Sequence, residues 1–284
     1  MKMLLCDLHT HSTFSDGSCS PKELLETAKA AGLVAVALTD HNTVDGLKTF
    51  LTDGKNYGIE AVAGVEISCD YNGKELHVLA LFIENRLSEM QKFLEISKSR
   101  KEESNKLLAE NLVNKGYKID YEQIKLQTVG SINRVHFANE LIKKGYIKTV
   151  KEGFDTVLSE NAGFYLPPKR LTVFEVIDFI KTINAISVLA HPLLNLTKKE
   201  LIEFLPEAKQ MGLKAIETRY SKYSIAEQEF CTRLAKDFGF LESGGSDFHG
   251  ANKPDIKIGV GQGGLQVPYK FLEAIKNSIE ACKV

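Results

Sequence analysis

Val34-Ala35-Val36-Ala37-Leu38-Thr39-Asp40-His41-Asn42 decides the fold. Its first five residues are a continuous apolar run, the pattern of a strand buried on both faces of a parallel sheet. The next four turn polar at once and set an imidazole beside a carboxylate. The same change recurs along the chain. Residues 3–8 are mostly apolar and give way to His9-Thr10-His11, with Asp16-Gly17 in the same loop. Residues 60–65 end in Glu66, residues 186–190 in His191-Pro192, and residues 240–243 in Gly244-Gly245-Ser246-Asp247-Phe248-His249. His77 stands apart, on the second arm of a hairpin whose turn signal is Asn72-Gly73.

Helical patterns fill the gaps between these strands. Ser20-Pro21-Lys22-Glu23 predicts a helix start with Ser20 as N-cap, Pro21 in the first turn and Glu23 completing a capping box, and Gly32 ends that helix. Further helices are predicted at 44–57, 173–184, 198–211, 226–238 and 269–281, with one more strand at 214–217. Residues 87–115 are long, charged and helical in period, and shorter helices follow at 131–144 and 150–160. No strand pattern occurs between 90 and 163, so this block reads as a helical insertion or cap. The expected domains are a discontinuous barrel, 1–89 with 164–284, and the insertion, 90–163. Six or seven strand–helix units, with a polar cluster after nearly every strand, favour a closed or nearly closed β/α barrel over an open sheet. In such a barrel the strand ends converge on one mouth.

The 284 residues are 43% hydrophobic and 26% charged, ordinary for a globular protein, which excludes a mostly disordered chain. A net charge of −1 provides no global basic field for nucleic acid. No apolar run approaches the ~18 residues of a membrane span, and the apolar start is too short for a signal peptide. The five cysteines form no CxxC pair and are odd in number, which predicts reduced thiols in a cytoplasmic protein. No protein partner is legible.

His9 and His11, at i and i+2 of an extended backbone, lie on one side. Alone, that pair is weak evidence for a metal. Five of the seven histidines lie in the strand-end clusters above, with His77 on the hairpin arm. His, Asp and Glu without Cys suit Mn, Fe or catalytic Zn better than a structural thiolate zinc. The residues by themselves give many N and O ligands at one mouth, and no grouping. Asp40 either orients an imidazole from behind or is a solvated loop acid. Gly244-Gly245 suit a close backbone approach or a plain turn.

Asp7-Leu8-His9-Thr10-His11-Ser12 with Ser15-Asp16-Gly17 resembles the first motif of the polymerase-and-histidinol-phosphatase (PHP) superfamily. Leu38-Thr39-Asp40-His41-Asn42 resembles the second, and Gly64-Val65-Glu66-Ile67 with His77 the third. Ala190-His191-Pro192 and Gly245-Ser246-Asp247-Phe248-His249-Gly250 resemble the last two. The resemblance implies a distorted (β/α)7 barrel of the α/β class with a helical insertion and a trinuclear metal site. Carried over by motif, His9, His11, Glu66 and Asp247 bind one ion, Glu66 bridges to a second held by His77 and His191, and Asp16, His41 and His249 hold a third. Two or three divalent ions of Mn, Fe or Zn are implied.

Ser131-Ile132-Asn133-Arg134-Val135-His136 is similar to a Gly-Arg-x-His stretch of stand-alone PHP phosphoesterases, with Asn133 in place of Gly. Arg134 is the implied phosphate ligand. His136 either touches phosphate or packs within the insertion. In Glu217-Thr218-Arg219-Tyr220-Ser221-Lys222-Tyr223-Ser224, Arg219 and Lys222 could meet a second phosphate and Tyr220 or Tyr223 could stack on a base. The alternative is a solvated loop. Relatives often carry His where Tyr223 stands. Lys169-Arg170 is an anion site or a pair of surface charges.

The implied activity is phosphate-ester hydrolysis by a metal-activated hydroxide, on the 3′-phosphate of nucleoside 3′,5′-bisphosphates or on short 5′-phosphorylated RNA. The near-neutral charge favours the small substrate. Histidinol phosphate or another small monoester is the alternative substrate. A non-catalytic metal-binding module is the alternative of another class, and it fits poorly because every ligand position is filled. The general acid is not legible.

Overall fold

The computed structural model describes residues 3–128 and 132–281. Met1, Lys2, Cys282 and Ser131, the predicted start of a helix, lie outside the described residues. The chain forms two compact units, Met1–Leu94 with Leu171–Val284, and Glu95–Arg170.

The first unit runs β1 (Cys6–Asp7), α1 (Pro21–Ala30), β2 (Ala35–Leu38), α2 (Leu47–Tyr57), β3 (Glu60–Tyr71) and β4 (Lys74–Leu81). Helix α3 (Leu87–Asn114) leads into the second unit, which holds α4 (Tyr121–Gln127), α5 (Arg134–Lys143) and α6 (Val150–Asp155). The first unit resumes with α7 (Val173–Thr182), β5 (Ile186–Leu189), α8 (Lys198–Met211), β6 (Ala215–Tyr220), α9 (Ile225–Phe238), β7 (Leu241–Gly245) and α10 (Tyr269–Ala281). Capping boxes start α1, α7, α8 and α9 at Ser20, Thr172, Thr197 and Ser224, each satisfying two otherwise orphaned backbone donors.

The seven strands pair in chain order. The sheet closes because Leu8 N donates to Gly244 O at 3.1 Å and Asp247 N to His9 O at 2.9 Å. This is the expected α/β barrel, nearly closed and distorted. The distortion has a local cause. Asn72 and Gly73 both adopt positive φ, +52° and +80°, and turn β3 directly into β4 without a crossover helix. Strand β4 therefore runs antiparallel to both β3 and β5, while the other pairs are parallel. Strand β3 outruns its neighbour β2, which pairs with it only as far as Ala63. Glu66 thus lies within β3 and not at its end, a correction to the sequence reading: the hairpin carries the strand five residues further, to Tyr71.

Side chains alternate along each strand. Val36, Leu38, Val65, Ile67, Val78, Ala80 and Ile216 pack outward with helix residues such as Leu24, Phe50, Val176 and Phe204. Ala35, Ala37, Val62, Leu79, Leu81, Val188 and Ala215 form a second, inner cluster. Glu66, His77 and Glu217 continue the inner faces begun by Val62, Leu79 and Ala215. The barrel interior is therefore apolar along its length and polar at one mouth. In the second unit, Leu108, Leu112, Ile124, Phe137, Leu141 and Leu158 form a separate core. No helix among the described residues is long and apolar enough to cross a membrane.

Candidate metal centre

Glu66, fully buried, is the hub. Its Oε2 lies 3.1 Å from His9 Nε2, 3.1 Å from His11 Nε2 and 3.2 Å from His41 Nδ1. Its Oε1 lies 2.7 Å from His77 Nδ1 and 3.0 Å from His191 Nε2. One carboxylate therefore faces five imidazoles, three on one oxygen and two on the other. Asp247 Oδ1 is 3.2 Å from His11 Nε2 and 3.8 Å from His9 Nε2. Asp16 Oδ1 is 3.1 Å from His249 Nε2, and Asp16 Oδ2 is 3.9 Å from His41 Nε2. All nine predicted ligand residues come together.

The backbone is bent to allow this. His191 and Asp247 adopt positive φ, +29° and +57°, conformations that non-glycine residues rarely take and that cluster at functional sites. A Cβ on Gly245 would stand 2.2 Å from His9 Cβ, so β7 can pass the first strand this closely only as glycine. Asp40, 2% exposed, accepts hydrogen bonds from Ser12 N at 2.7 Å, Ser12 Oγ at 2.6 Å and Ser15 Oγ at 2.6 Å. It pins the loop between His11 and Asp16 and touches no imidazole. The His249 ring pairs through Nδ1 with the Asp247 carbonyl at 2.8 Å; the carbonyl can only accept, so Nδ1 carries hydrogen and Nε2 is left for the cluster.

Burial alone would raise the Glu66 carboxyl, but the surrounding imidazoles hold it well below its ordinary value. Burial likewise opposes charge on His9 and His11, yet Glu66 and Glu217 push His9 upward, and Asp247 and Glu66 push His11 upward. His77 rises to about 9 because its hydrogen bonds to Glu66 and Glu75 outweigh burial. Burial dominates at His41, which falls to about 4.

Three groups each set one ligand atom per residue within 4.8 Å of the others: His9, His11, Glu66 and Asp247; His11, Asp16, His41 and His249; and His41, Glu66 and His77. His9 Nε2, both ring nitrogens of His11, His41 Nδ1, Glu66 Oε2 and His249 Nε2 are buried without a hydrogen-bond partner. Buried polar atoms are normally paired. Here they face one another at contact distance without the alignment of hydrogen bonds, the arrangement expected of donors converging on cations. The residues fit divalent ions with N and O preference.

The predicted substrate residues are placed differently. Arg219 donates to Thr232 Oγ1 at 2.8 Å and to Thr218 O at 3.1 Å, and its guanidinium lies 5.8 Å from the Phe271 ring centre. A bulge between Glu217 and Arg219 breaks the alternation and sends both Thr218 and Arg219 to the outer face. Tyr223 is buried, its hydroxyl accepting from Leu193 N at 2.9 Å, so its ring is not open for stacking. Lys222 is exposed. In the helical unit, the Arg134 guanidinium lies 4.1 Å from the Tyr165 ring centre and donates to Leu158 O at 3.2 Å. His136 Nδ1 accepts from Asn133 N at 3.0 Å as part of a capping box. Lys169 and Arg170 are exposed.

Glu217 and Lys253 escaped the sequence reading, and Tyr220, expected as a possible base-stacking ring, is buried against Asp247 instead. Glu217 Oε1 is 2.9 Å from His9 Nδ1. The Tyr220 hydroxyl donates to Asp247 Oδ2 at 3.0 Å, and Lys253 Nζ lies 3.0 Å from the same oxygen. Glu217 had a signal, since it closes the strand expected at 214–217, although β6 continues to Tyr220. Lys253 had none.

The PHP domain model matches residues 7–166. A 5′-3′ exoribonuclease from Haemophilus influenzae is 30% identical over 244 residues, covering 86% of this chain and 89% of that protein. A phosphoribosyl 1,2-cyclic phosphate 1,2-diphosphodiesterase from Eggerthella lenta is 27% identical, covering 86% and 94%. A 3′,5′-nucleoside bisphosphate phosphatase from Chromobacterium violaceum is 25% identical, covering 89% and 90%. Among solved structures, a protein from Bifidobacterium adolescentis assigned as a metal-dependent phosphoesterase superposes with a TM-score of 0.69 at 25% identity, covering 95% of this chain and 94% of the other. Matched over more than half its length by the family model, and over most of it by these relatives, the chain belongs to the PHP domain family.

Proposed function

We propose that the substrate of this metal-dependent phosphoesterase is a nucleotide. The reaction we assign is release of the 3′-phosphate from a nucleoside 3′,5′-bisphosphate, with short 5′-phosphorylated RNA as a second substrate of the same site. The observation that supports a multi-metal hydrolase is Glu66, whose two oxygens serve different sets of histidines. We assign His9, His11, Glu66 and Asp247 to one ion, Asp16, His41 and His249 to another, and Glu66, His77 and His191 to a third. Such ions supply Lewis acidity toward phosphoryl oxygens and lower the pKa of water. The chain's own part is to hold the ligands, exclude competing donors and present charge to the phosphate. Lys253, whose ammonium sits on the outer oxygen of Asp247, is the cation we assign to a substrate phosphate.

A smaller monoester is the second reading. It is favoured by one observation: Arg219 and Tyr223 are committed to packing, which removes two groups that would have met a second phosphate and a base. The test is phosphate release from adenosine 3′,5′-bisphosphate by Mn²⁺-loaded protein, beside histidinol phosphate and 5′-AMP. Preference for the bisphosphate with AMP as product supports the nucleotide reading. Equal or faster turnover of a simple monoester replaces it.

A further inference from the structure

We propose that Glu217 is a positioning residue that orients two metal ligands on opposite sides of Glu66, His9 and His191, and thereby sets metal affinity. The inference rests on the reading of the nine clustered residues as ligands.

Glu217 is fully buried on β6 and, like His191, belongs to none of the three candidate ligand groups, but its two oxygens meet His9 and the His191 main chain rather than Glu66. Both its oxygens are spoken for. Oε1 lies 2.9 Å from His9 Nδ1, and Oε2 accepts the His191 backbone N–H at 2.6 Å. The first contact turns His9 so that Nε2 faces Glu66 Oε2 at 3.1 Å. A carboxylate opposite Nδ1 favours hydrogen on Nδ1 and a bare Nε2, the form that binds a cation. The second contact holds the main chain at His191, where φ is +29° and ψ +53° and proline follows. Non-glycine residues seldom take this conformation, and holding it needs supporting contacts. With the turn held, His191 Nε2 reaches Glu66 Oε1 at 3.0 Å. One carboxylate thus fixes the ring of one ligand and the backbone of another. The bulge after Glu217 makes this compatible with β6, since it keeps Glu217 inside while Arg219 turns out.

The test is Glu217→Gln. The amide has the same shape but only one accepting oxygen, so it can serve His9 or His191 and not both. Outer partners of metal ligands are typically worth 10–100-fold in affinity. Mn²⁺ titration of metal-free protein by calorimetry is expected to show affinity weaker by that factor, with an unchanged far-UV circular dichroism spectrum. Affinity within twofold of wild type in the folded variant overturns the proposal. Should the variant not fold, the wild type supplies the second measurement. In ¹⁵N spectra of Zn²⁺-loaded protein, His9 is expected to carry hydrogen on Nδ1 alone. Hydrogen on Nε2 overturns the proposal. Wild-type protein that binds no Mn²⁺ removes the ligand reading and this inference together, whereas two or three bound ions with an indifferent Glu217→Gln remove only the inference.

Discussion

His77 Nδ1 and Glu66 Oε1 stand 2.7 Å apart, and this contact holds the His77 proton. His77 holds its proton up to about 9 in the metal-free protein, because the hydrogen bonds to Glu66 and Glu75 overcome burial. A histidine in the unfolded chain releases its proton near 6.5. The folded state therefore binds more protons between these values. The resulting stability is fully present below about pH 6.5 and is lost as pH rises through about 9. Under the proposed ligand assignment a cation displaces that proton, and those on His9 and His11, whose pKa values are also raised. Mn²⁺ affinity is expected to climb with pH across this window. Calorimetry at pH 7.5 in buffers of different ionisation enthalpy should report release of more than one proton per protein. Binding that releases none would show that the histidines are neutral before metal arrives.

Gly245 sets how closely β7 can pass His9. The added methyl of Gly245→Ala would meet the His9 main chain as well as its Cβ, with His9 N at 2.5 Å. Backbone cannot step aside as a flexible side chain can. The expected cost is about 1–3 kcal/mol or more, with weaker metal binding because His9 must move. Thermal unfolding with and without Mn²⁺ checks both. An unchanged melting temperature in both states would mean that the strands separate freely.

Much of this cluster is legible in the sequence because its side chains sit where apolar runs stop. His9, His11, His41, His191, Asp247 and His249 all follow that rule, and the capping box at Ser20 marks the start of α1 with equal clarity. What stays hidden depends on partners far away in the chain. Glu66 looks like a strand end only until the hairpin is seen to carry β3 onward. Helix α4 is a short segment capped by Asp120, too brief for a periodic pattern. The direction of Arg219 turns on a bulge that only the pairing with β7 reveals. Glu217 and Lys253 are ordinary charged residues until folding sets them beside His9 and Asp247.

Arg219→Ala tests the outward placement directly. Its guanidinium holds Thr232 on α9 and lies by Phe271 on α10. Loss of two partly buried hydrogen bonds and a ring contact is expected to cost about 1–3 kcal/mol of stability. Metal stoichiometry and kcat/KM are expected to stay within twofold of wild type. A large rise in KM at unchanged stability would put Arg219 back at the substrate.

Lys253→Met separates two roles for one ammonium. Lys253 Nζ sits 3.0 Å from Asp247 Oδ2, the oxygen that Tyr220 also holds, while Asp247 Oδ1 faces His11. Methionine keeps the length of the chain and removes the charge. If the ammonium meets the substrate phosphate, its loss removes a charge-assisted hydrogen bond of about 1.5–3 kcal/mol. That corresponds to a KM higher by roughly 10–100-fold, with Mn²⁺ stoichiometry intact because Tyr220 still holds Asp247. Inhibition by inorganic phosphate should weaken in parallel. Loss of bound metal with an unchanged KM in the remaining loaded fraction would instead make Lys253 a support for Asp247 and leave the phosphate to the cations alone.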